Sequence, residues 1–178
     1  QAIVAHAIAQ ARPLAEVAGV VLQDKSAASP VPLRGDAFIL RAAVTNLLEN
    51  AIDFSPVGSS VAISLQTTGG NTVLSVRDHG PGIPDYAREK VFDRFYSLRH
   101  HASKRKGTGL GLTLVREAVE LHGGTISLEP ADGGGPGARL VVPIDDDVLE
   151  EVAEAGLDGS LVAAVHLEIV RHSALLAD

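Results

Sequence analysis

The chain has 178 residues, of which 46% are hydrophobic and 21% are charged, enough apolar material for one packed globular domain with a small appendage. It has no cysteine, which excludes a disulfide framework and a thiolate metal site, and its formal charge of -7 disfavours a nucleic-acid-binding surface. The sequence lacks both a run of eighteen apolar residues and a signal peptide, which predicts a soluble cytoplasmic domain. Since methionine is absent even at position 1, we expect a fragment of a longer protein.

The first half of the chain predicts two helices and three strands. Asp36 is a good N-cap for the second helix, and Ser55-Pro56 ends it, because the residue before proline is pushed out of the helical region. Glycine and asparagine in "TTGGN" are typical of a hairpin loop between the last two strands. The predicted elements are a helix over 1–15, a strand over 17–23, a helix over 37–54, and strands over 60–66 and 72–78.

The second half predicts a loop with a short helix, a further helix and two strands. The helix over 110–122 has Leu112, Val115, Val119 and His122 at helical spacing, and the glycines that follow end it. The other predicted elements are the loop and short helix over 79–95 and the strands over 125–130 and 138–144. This order predicts a two-layer α/β (α+β) sandwich, with a mixed, mostly antiparallel sheet and helices on one face.

The C-terminal segment differs in character from the rest. We expect residues 1–145 to form the domain and residues 146–178 to form a helical extension, because an acidic start leads into a strongly apolar, helix-length run. Three interpretations of this extension stay open: a helix pair that enlarges the domain's own core, a dimer contact, or a non-native addition.

A polar stripe follows the predicted helix over 37–54. Asn46, Glu49, Asn50 and Asp53 stand at positions i, i+3, i+4 and i+7, so they share one helix face. A solvated face is the ordinary interpretation, but asparagine is a mediocre helix former, and two on one stripe cost stability. Amide and phosphate oxygens suit Mg²⁺, so the stripe is also a candidate cation site, with Glu49 able to orient or accept a proton.

A carboxylate and two glycines form a second candidate feature. Asp78 ends a predicted strand and can accept a hydrogen bond from an exocyclic amine, while Gly80 and Gly82 allow the backbone to approach a flat ligand. An ordinary turn rich in glycine and proline explains the same residues, and taken alone it is the better interpretation.

Alternating glycines at the start of the helix over 110–122 form the third feature. The segment "GTGLGL", residues 107–112, places unpaired backbone N–H groups where they can hold phosphate. Its spacing matches neither the dinucleotide fingerprint nor a Walker A loop. Lys104, Arg105 and Lys106 come just before this segment, where they are either partners for phosphate or part of a solvated loop. His100 and His101 are interpreted as surface residues rather than metal ligands, since no spaced carboxylate or cysteine accompanies them.

Read together, these segments resemble a known family. In order and spacing, "NLLENAIDFSP", "DHGPGIP", "FDRFYS" and "GTGLGL" are similar to the N, G1, F and G2 boxes of the catalytic ATP-binding (HATPase_c) domain of bacterial sensor histidine kinases, in the GHKL superfamily. The similarity covers about residues 17–144 and is greatest to the carbon-source-responsive group. It implies a Bergerat fold, with ATP between the N-box helix and a flexible lid.

The resemblance also implies roles for individual residues. Asn50 would ligate Mg²⁺ and Asn46 would support it, while Glu49 would act on the histidine acceptor and Asp78 would accept the adenine amino group. Phe92 and Phe95 would position the lid, although core packing also suits them. The remaining residues implied at the nucleotide are Gly80, Gly82, Ile83, Phe95, Tyr96, Lys104, Arg105, Lys106, Gly107, Thr108, Gly109, Leu110, Gly111 and Leu112.

Asp53 departs from the family pattern, because many members carry lysine or arginine at this position. A carboxylate about 4 Å from phosphate is repelled by roughly 1 kcal/mol in water and roughly 4 kcal/mol in a partly screened site. We therefore expect Asp53 to point away, the lid cations to compensate, or ATP affinity to be modest. The carbon-source-responsive group carries this aspartate too, which favours the first two interpretations.

The family reaction moves the γ-phosphoryl group of ATP to a histidine on a separate dimerisation domain. This chain has no phosphoacceptor motif, since His6 lacks the acid and proline that follow the acceptor, and it is expected on a helix surface. The implied partners are that acceptor domain of the same protein and a response regulator, in a homodimer anchored in the inner membrane. A degenerate nucleotide-sensing domain, or another GHKL ATPase of the chaperone, topoisomerase or mismatch-repair type, stays open.

Overall fold

The computed structural model describes residues 2–27, 31, 35–68, 70–98, 108–129 and 137–143, with backbone alone for residues 129 and 137–143. These residues contain three helices and a five-stranded sheet, together with two short 3-10 turns, Asp85–Ala87 and Lys90–Phe92. The helices are α1 Ala2–Ala18, α2 Ala37–Phe54 and α3 Gly111–Leu121; the strands are β1 Val21–Asp24, β2 Ser60–Thr68, β3 Asn71–Arg77, β4 Thr125–Glu129 and β5 Gly137–Pro143.

The sheet has the order β1-β2-β3-β5-β4, which makes β3 its central strand. β1 pairs with β2 in parallel, and the other neighbours are antiparallel, so the predicted mixed sheet is confirmed. Thr68 pairs with Asn71 across the hairpin, which leaves a two-residue connection. β2 is therefore two residues longer than the predicted 60–66, whereas β3 keeps the predicted length of seven residues but lies one residue earlier than 72–78. The predicted extension over residues 146–178 lies outside the described residues.

The helices and the sheet share one apolar core. Alternate residues of β2, namely Val61, Ile63 and Leu65, are buried against the helices, as a sheet with one covered face requires. α1 contributes Val4, Ala7, Ala11 and Ala15, a helical stripe of mostly small side chains that lets α1 lie close to α2. A smaller cluster contains Ala87, Val91 and Phe92.

The start of the chain corrects two predicted boundaries. α1 runs to Ala18 rather than ending at Ala15, and the strand begins at Val21 rather than Val17. The helix ends because Gly19 adopts a left-handed φ of +67°, and the N–H of Val20 then bonds back to the carbonyl of Ala15. Val17 therefore lies on the exposed face of a helix, where the apolar residue had suggested a strand.

The segment between β3 and α3 also differs from the prediction of one short helix. Its two 3-10 turns are three residues each, and Asp93 already has an extended backbone. Within the described parts of the chain, every helix falls short of the combined length and apolar character that a membrane span requires.

Candidate functional site

The polar stripe of α2 lies on the side of the helix away from the core. Leu47, Leu48, Ala51 and Ile52 are buried between helix and sheet, whereas Glu49 is exposed and Asn46, Asn50 and Asp53 are half-buried. The Nδ2 atom of Asn46 donates to the carbonyl oxygen of Ala42, at 2.9 Å. This bond fixes the amide, so that its oxygen faces outward toward the start of α3.

The start of α3 meets this stripe at a glycine. A Cβ at Gly111 would lie 3.2 Å from Asn46 Oδ1 and 3.4 Å from Asn50 Nδ2, so a methyl group there would make a tight contact that the amide of Asn46 would have to relieve by shifting slightly. No side chain caps the N-terminus of α3, since the preceding residue is Leu110. Its first N–H groups, which carry the positive end of the helix dipole, therefore lie beside two amide side chains.

The Asp78 carboxylate follows the central strand directly. Its Oδ1 accepts from the N–H of Gly80 at 2.7 Å, and a Cβ on Gly80 would lie only 2.8 Å from that oxygen and 2.8 Å from the carbonyl oxygen of Phe54, the last residue of α2. Burial raises the pKa of Asp78, while the Gly80 hydrogen bond and the charge of His79 oppose the rise. The glycine thus brings a half-buried carboxylate to the C-terminal end of α2.

The turn after Asp78 is held in place from both sides. His79 Nδ1 contacts the carbonyl oxygen of Ser60 at 2.7 Å, which ties the turn to the beginning of β2. Gly82 has a φ of +78°, which disfavours other residues, and Ile83 packs against the smaller apolar cluster. Gly80 and Gly82, the two residues predicted to shape the pocket beside Asp78, therefore lie in a fixed turn.

Two hydrogen bonds join the residues on either side of the lid, which the resemblance predicts at about residues 97–106. The N–H of Phe95 donates to the carbonyl oxygen of Gly109 at 2.9 Å, and the hydroxyl of Thr113 donates to the carbonyl oxygen of Phe92 at 2.9 Å. Phe95 has a φ of +64°, and a Cβ on Gly109 would lie 2.6 Å from its carbonyl carbon. The backbone is therefore closely packed where the chain enters and leaves residues 99–107.

The two predicted F-box aromatics differ in burial. Phe92 belongs to the smaller cluster, with the guanidinium of Arg116 5.7 Å from its ring centroid, so core packing accounts for it. Phe95 is 76% exposed, which contradicts core packing for this residue. Its predicted contact with the lid stays a prediction, because the lid is outside the described residues.

The other predicted nucleotide residues divide into two groups. Lys104, Arg105, Lys106 and Gly107, with His100 and His101, lie outside the described residues. Thr108 is exposed, Leu110 is half-buried, and Tyr96 and Leu112 pack on the smaller cluster. His6 is exposed on α1, as expected.

Sequence patterns missed several groups that build this site. Thr113 is a buried threonine on an apolar face, and the carbonyl oxygens of Ala42 and Phe54 have no signal in a sequence. The described residues include no cluster of three histidine, cysteine or acidic side chains that could hold a metal. Asn46 and Asn50 offer amide oxygens, which together with oxygens of a bound ligand form a donor set that suits Mg²⁺.

Together these elements form an elongated site along α2. Asp78 lies at the C-terminal end, and the N-terminus of α3 lies beside Asn46 and Asn50. Phe54, whose carbonyl lies beside Gly80, is about 6 Å along the helix axis from Asn50 and about 12 Å from Asn46, so the carboxylate lies one to two helical turns from the amides. An amine can bond to the carboxylate while phosphates lie at the N–H groups of α3.

Comparisons with known proteins show the family of the chain. Residues 35–146 match the family described as histidine kinase-, DNA gyrase B-, and HSP90-like ATPase. The chain is 40% identical over 110 residues to the sensor protein CreC of Escherichia coli K12 and 42% identical over 117 residues to the histidine-protein kinase/phosphatase MprB of Mycobacterium avium. These matches cover 62% and 64% of the chain but only 23% and 22% of the relatives, so the chain spans about a quarter of their length.

Solved structures give the same result. The mycobacterial sensor histidine kinase MprB superposes with a TM-score of 0.68 at 30% identity, over 79% of this chain and 91% of that one. The catalytic domain of the histidine kinase ThkA superposes with a TM-score of 0.69 over 79% and 91% of the two chains; at 22% identity it supports the fold alone. The chain therefore belongs to the histidine kinase-, DNA gyrase B- and HSP90-like ATPases, and within them it is the ATP-binding catalytic domain of a sensor histidine kinase.

Proposed function

We propose that this domain binds ATP with Mg²⁺ along α2 and transfers the γ-phosphoryl group to a histidine on a separate dimerisation domain. The observation that carries the proposal is the contact of Gly111 with Asn46 and Asn50, which places a helix N-terminus beside two amides. Phosphate favours such a terminus, and amide oxygens are ligands that Mg²⁺ accepts. The half-buried Asp78 supplies the acceptor for the adenine amino group.

Phosphoryl transfer needs positioning and charge neutralisation more than covalent chemistry from the protein. Asn50, supported by Asn46, would hold Mg²⁺, and the bound ion would neutralise charge on the phosphates. The N–H groups at the start of α3 would orient the γ-phosphate, helped by one or more of Lys104, Arg105 and Lys106. The attacking nitrogen comes from the acceptor histidine, and ADP leaves.

Glu49 has the position that an acceptor-facing group needs. It lies on the same stripe as Asn46 and Asn50 but is exposed, so an imidazole from a partner domain can reach it. There its carboxylate would orient the imidazole or take its proton. Asp53 is half-buried on the same stripe, and the expectation that it points away from the phosphates or is compensated by the lid cations stays a prediction.

The partners of the reaction follow from this assignment. The acceptor would be the dimerisation domain of the same protein, and a response regulator would receive the phosphoryl group afterwards. We place the domain in the cytoplasm, within a membrane-anchored homodimer. These proposals rest on the similarity to sensor histidine kinases, of which the chain covers one domain.

The test is a reconstitution with labelled ATP. The chain is mixed with the acceptor domain of its own full-length protein, Mg²⁺ and γ-labelled ATP, and the acid-labile phosphohistidine is measured. We expect label on the acceptor, and none when the acceptor histidine is replaced by glutamine. ATP binding without phosphohistidine would refute phosphoryl transfer and favour a nucleotide-sensing domain, and steady hydrolysis without an acceptor would favour another kind of GHKL ATPase.

A further inference from the structure

His122, at the C-terminal end of α3, makes two hydrogen bonds that determine its protonation. Its Nε2 accepts from the backbone N–H of Asp36 at 2.9 Å, and its Nδ1 lies 2.6 Å from the carbonyl oxygen of Ala118. A backbone N–H can only donate and a carbonyl can only accept, so the proton is on Nδ1 and Nε2 is bare. The imidazole in this arrangement is neutral.

The contact between His122 and the segment before α2 leaves no room for another side chain. A Cβ on Gly35 would lie 2.3 Å from Cδ2 and 2.5 Å from Nε2 of the ring. Asp36 in turn caps α2, since its Oδ1 accepts from the N–H groups of Phe38 and Ile39 at 2.8 and 3.0 Å. One unbroken chain of hydrogen bonds therefore joins the end of α3 to the beginning of α2.

The N-terminus of α3 meets the C-terminal half of α2 at the nucleotide site, where Gly111 contacts Asn46 and Asn50. At 1.5 Å per residue, about 15 Å separates Asp36 from Asn46 and about 16.5 Å separates Gly111 from His122. The two spans match, so the helices lie antiparallel and are fastened at both ends. A shift of α3 at the His122 end would move Gly111 along the asparagine stripe by a similar distance, because a helix moves as a rigid body.

We propose that His122 is a positioning residue for the nucleotide site: its bare Nε2 fixes the axial position of α3 against α2 and thereby holds the N–H groups at Gly111 beside Asn46 and Asn50. His122 touches neither nucleotide nor metal, and its action passes through Asp36 and the helices. The inference rests on the proposed function, because it concerns the same ATP site.

Two conservative variants separate the bonds of the imidazole. In His122→Gln the side-chain oxygen reaches the position of Nε2 and still accepts from Asp36, whereas in His122→Asn the shorter amide reaches only the position of Nδ1 and keeps the bond to Ala118. We expect the glutamine variant to bind ATP within about twofold of the wild type, and the asparagine variant to bind about three- to tenfold more weakly, the value of one hydrogen bond.

Titration calorimetry with a non-hydrolysable ATP analogue and Mg²⁺, at a temperature where circular dichroism shows all three proteins folded, measures these affinities. If the role of His122 were merely structural, the variants would have lower melting temperatures but the same ATP affinity as the wild type. That result, or an equal loss of ATP affinity in the two variants, would overturn the inference and leave the proposed function standing. Absence of binding by the wild type would refute the proposed function and the inference with it.

If the asparagine variant does not fold, amide hydrogen exchange in the wild type tests the inference instead. In the wild type, the N–H of Asp36 is the donor to His122, so nucleotide bound at the far end of α2 and α3 should slow its exchange. An exchange rate unchanged by saturating nucleotide, at a site that calorimetry shows to be occupied, would overturn the inference.

Discussion

Replacing Asp78 by asparagine tests the adenine-binding role with almost no change of shape. The side-chain oxygen of asparagine can still accept from the N–H of Gly80, a bond of 2.7 Å in the wild type. The second atom then changes from an acceptor oxygen to an NH₂ group, which would face the amino group of adenine donor to donor. We therefore expect nucleotide binding to be weakened while the turn is preserved.

The magnitude follows from the kind of bond that is removed. A hydrogen bond to a charged group contributes about 1.5–3 kcal/mol, so Asp78→Asn should weaken ATP binding by about ten- to a hundredfold. Asp85→Asn is the matched control, because it removes the same charge from an exposed residue outside the site. Calorimetric titration of the three proteins measures the difference, and wild-type affinity in Asp78→Asn would refute the adenine role.

The same substitution should have the opposite effect on stability. Burial raises the pKa of Asp78 in the folded chain above its ordinary value of 3.8, so the folded state binds the proton more tightly than the unfolded state. Ionised Asp78 therefore destabilises the fold increasingly as pH rises from 3.8 through the raised pKa, and this cost persists at neutral pH. Asp78→Asn removes it, so urea unfolding at pH 7 should show a variant at least as stable as the wild type. A clear loss of stability would contradict this account of the carboxylate.

Substitutions at three further positions test the packing around the site. Gly111→Ala places a methyl group 3.2 Å from Asn46 Oδ1, and strain of about 1 kcal/mol or more should weaken ATP binding at least about fivefold by calorimetry; unchanged affinity would contradict the contact. Phe95→Gly should be about 1 kcal/mol more stable than Phe95→Ala in urea, because only alanine keeps the cost of the left-handed φ of +64°; equal stability would refute that strain. Thr113→Val leaves the carbonyl oxygen of Phe92 without its donor and should cost about 1–3 kcal/mol in the same assay, whereas wild-type stability would show that the bond contributes nothing.

The bounds of the site-bearing helices were predictable because their signals are local. Asp36 was predicted as the N-cap of α2, and it bonds to two N–H groups of the first turn. The predicted helix over 37–54 is confirmed, and α3 at Gly111–Leu121 lies within one residue of its prediction at each end. Spacing along α2 also placed Asn46 and Asn50 on one face before any coordinates were known.

The parts of the structure that could not be predicted depend on groups that leave no pattern in the amino-acid sequence. The close approach of Gly80 to the carbonyl oxygen of Phe54 arises from two segments far apart in the chain, and main-chain oxygens look alike at every position. The predicted end of α1 was wrong because the apolar Val17 suggested a strand. In the structure Val17 is exposed on the last turn of the helix, where its strand propensity does not determine the local fold. His122 was predicted only as one of several residues at helical spacing, and its bond to Asp36 depends on how α2 and α3 pack.

The central claim is that Asn50 holds Mg²⁺ at the phosphates of ATP. Titration of wild type and Asn50→Ala with ATP, each with Mg²⁺ and with a chelator, measures it most directly. We expect Mg²⁺ to strengthen ATP binding by the wild type and to have no effect on the variant. Equal, Mg²⁺-dependent binding by the two proteins would contradict the metal role of Asn50 and, with it, the site proposed along α2.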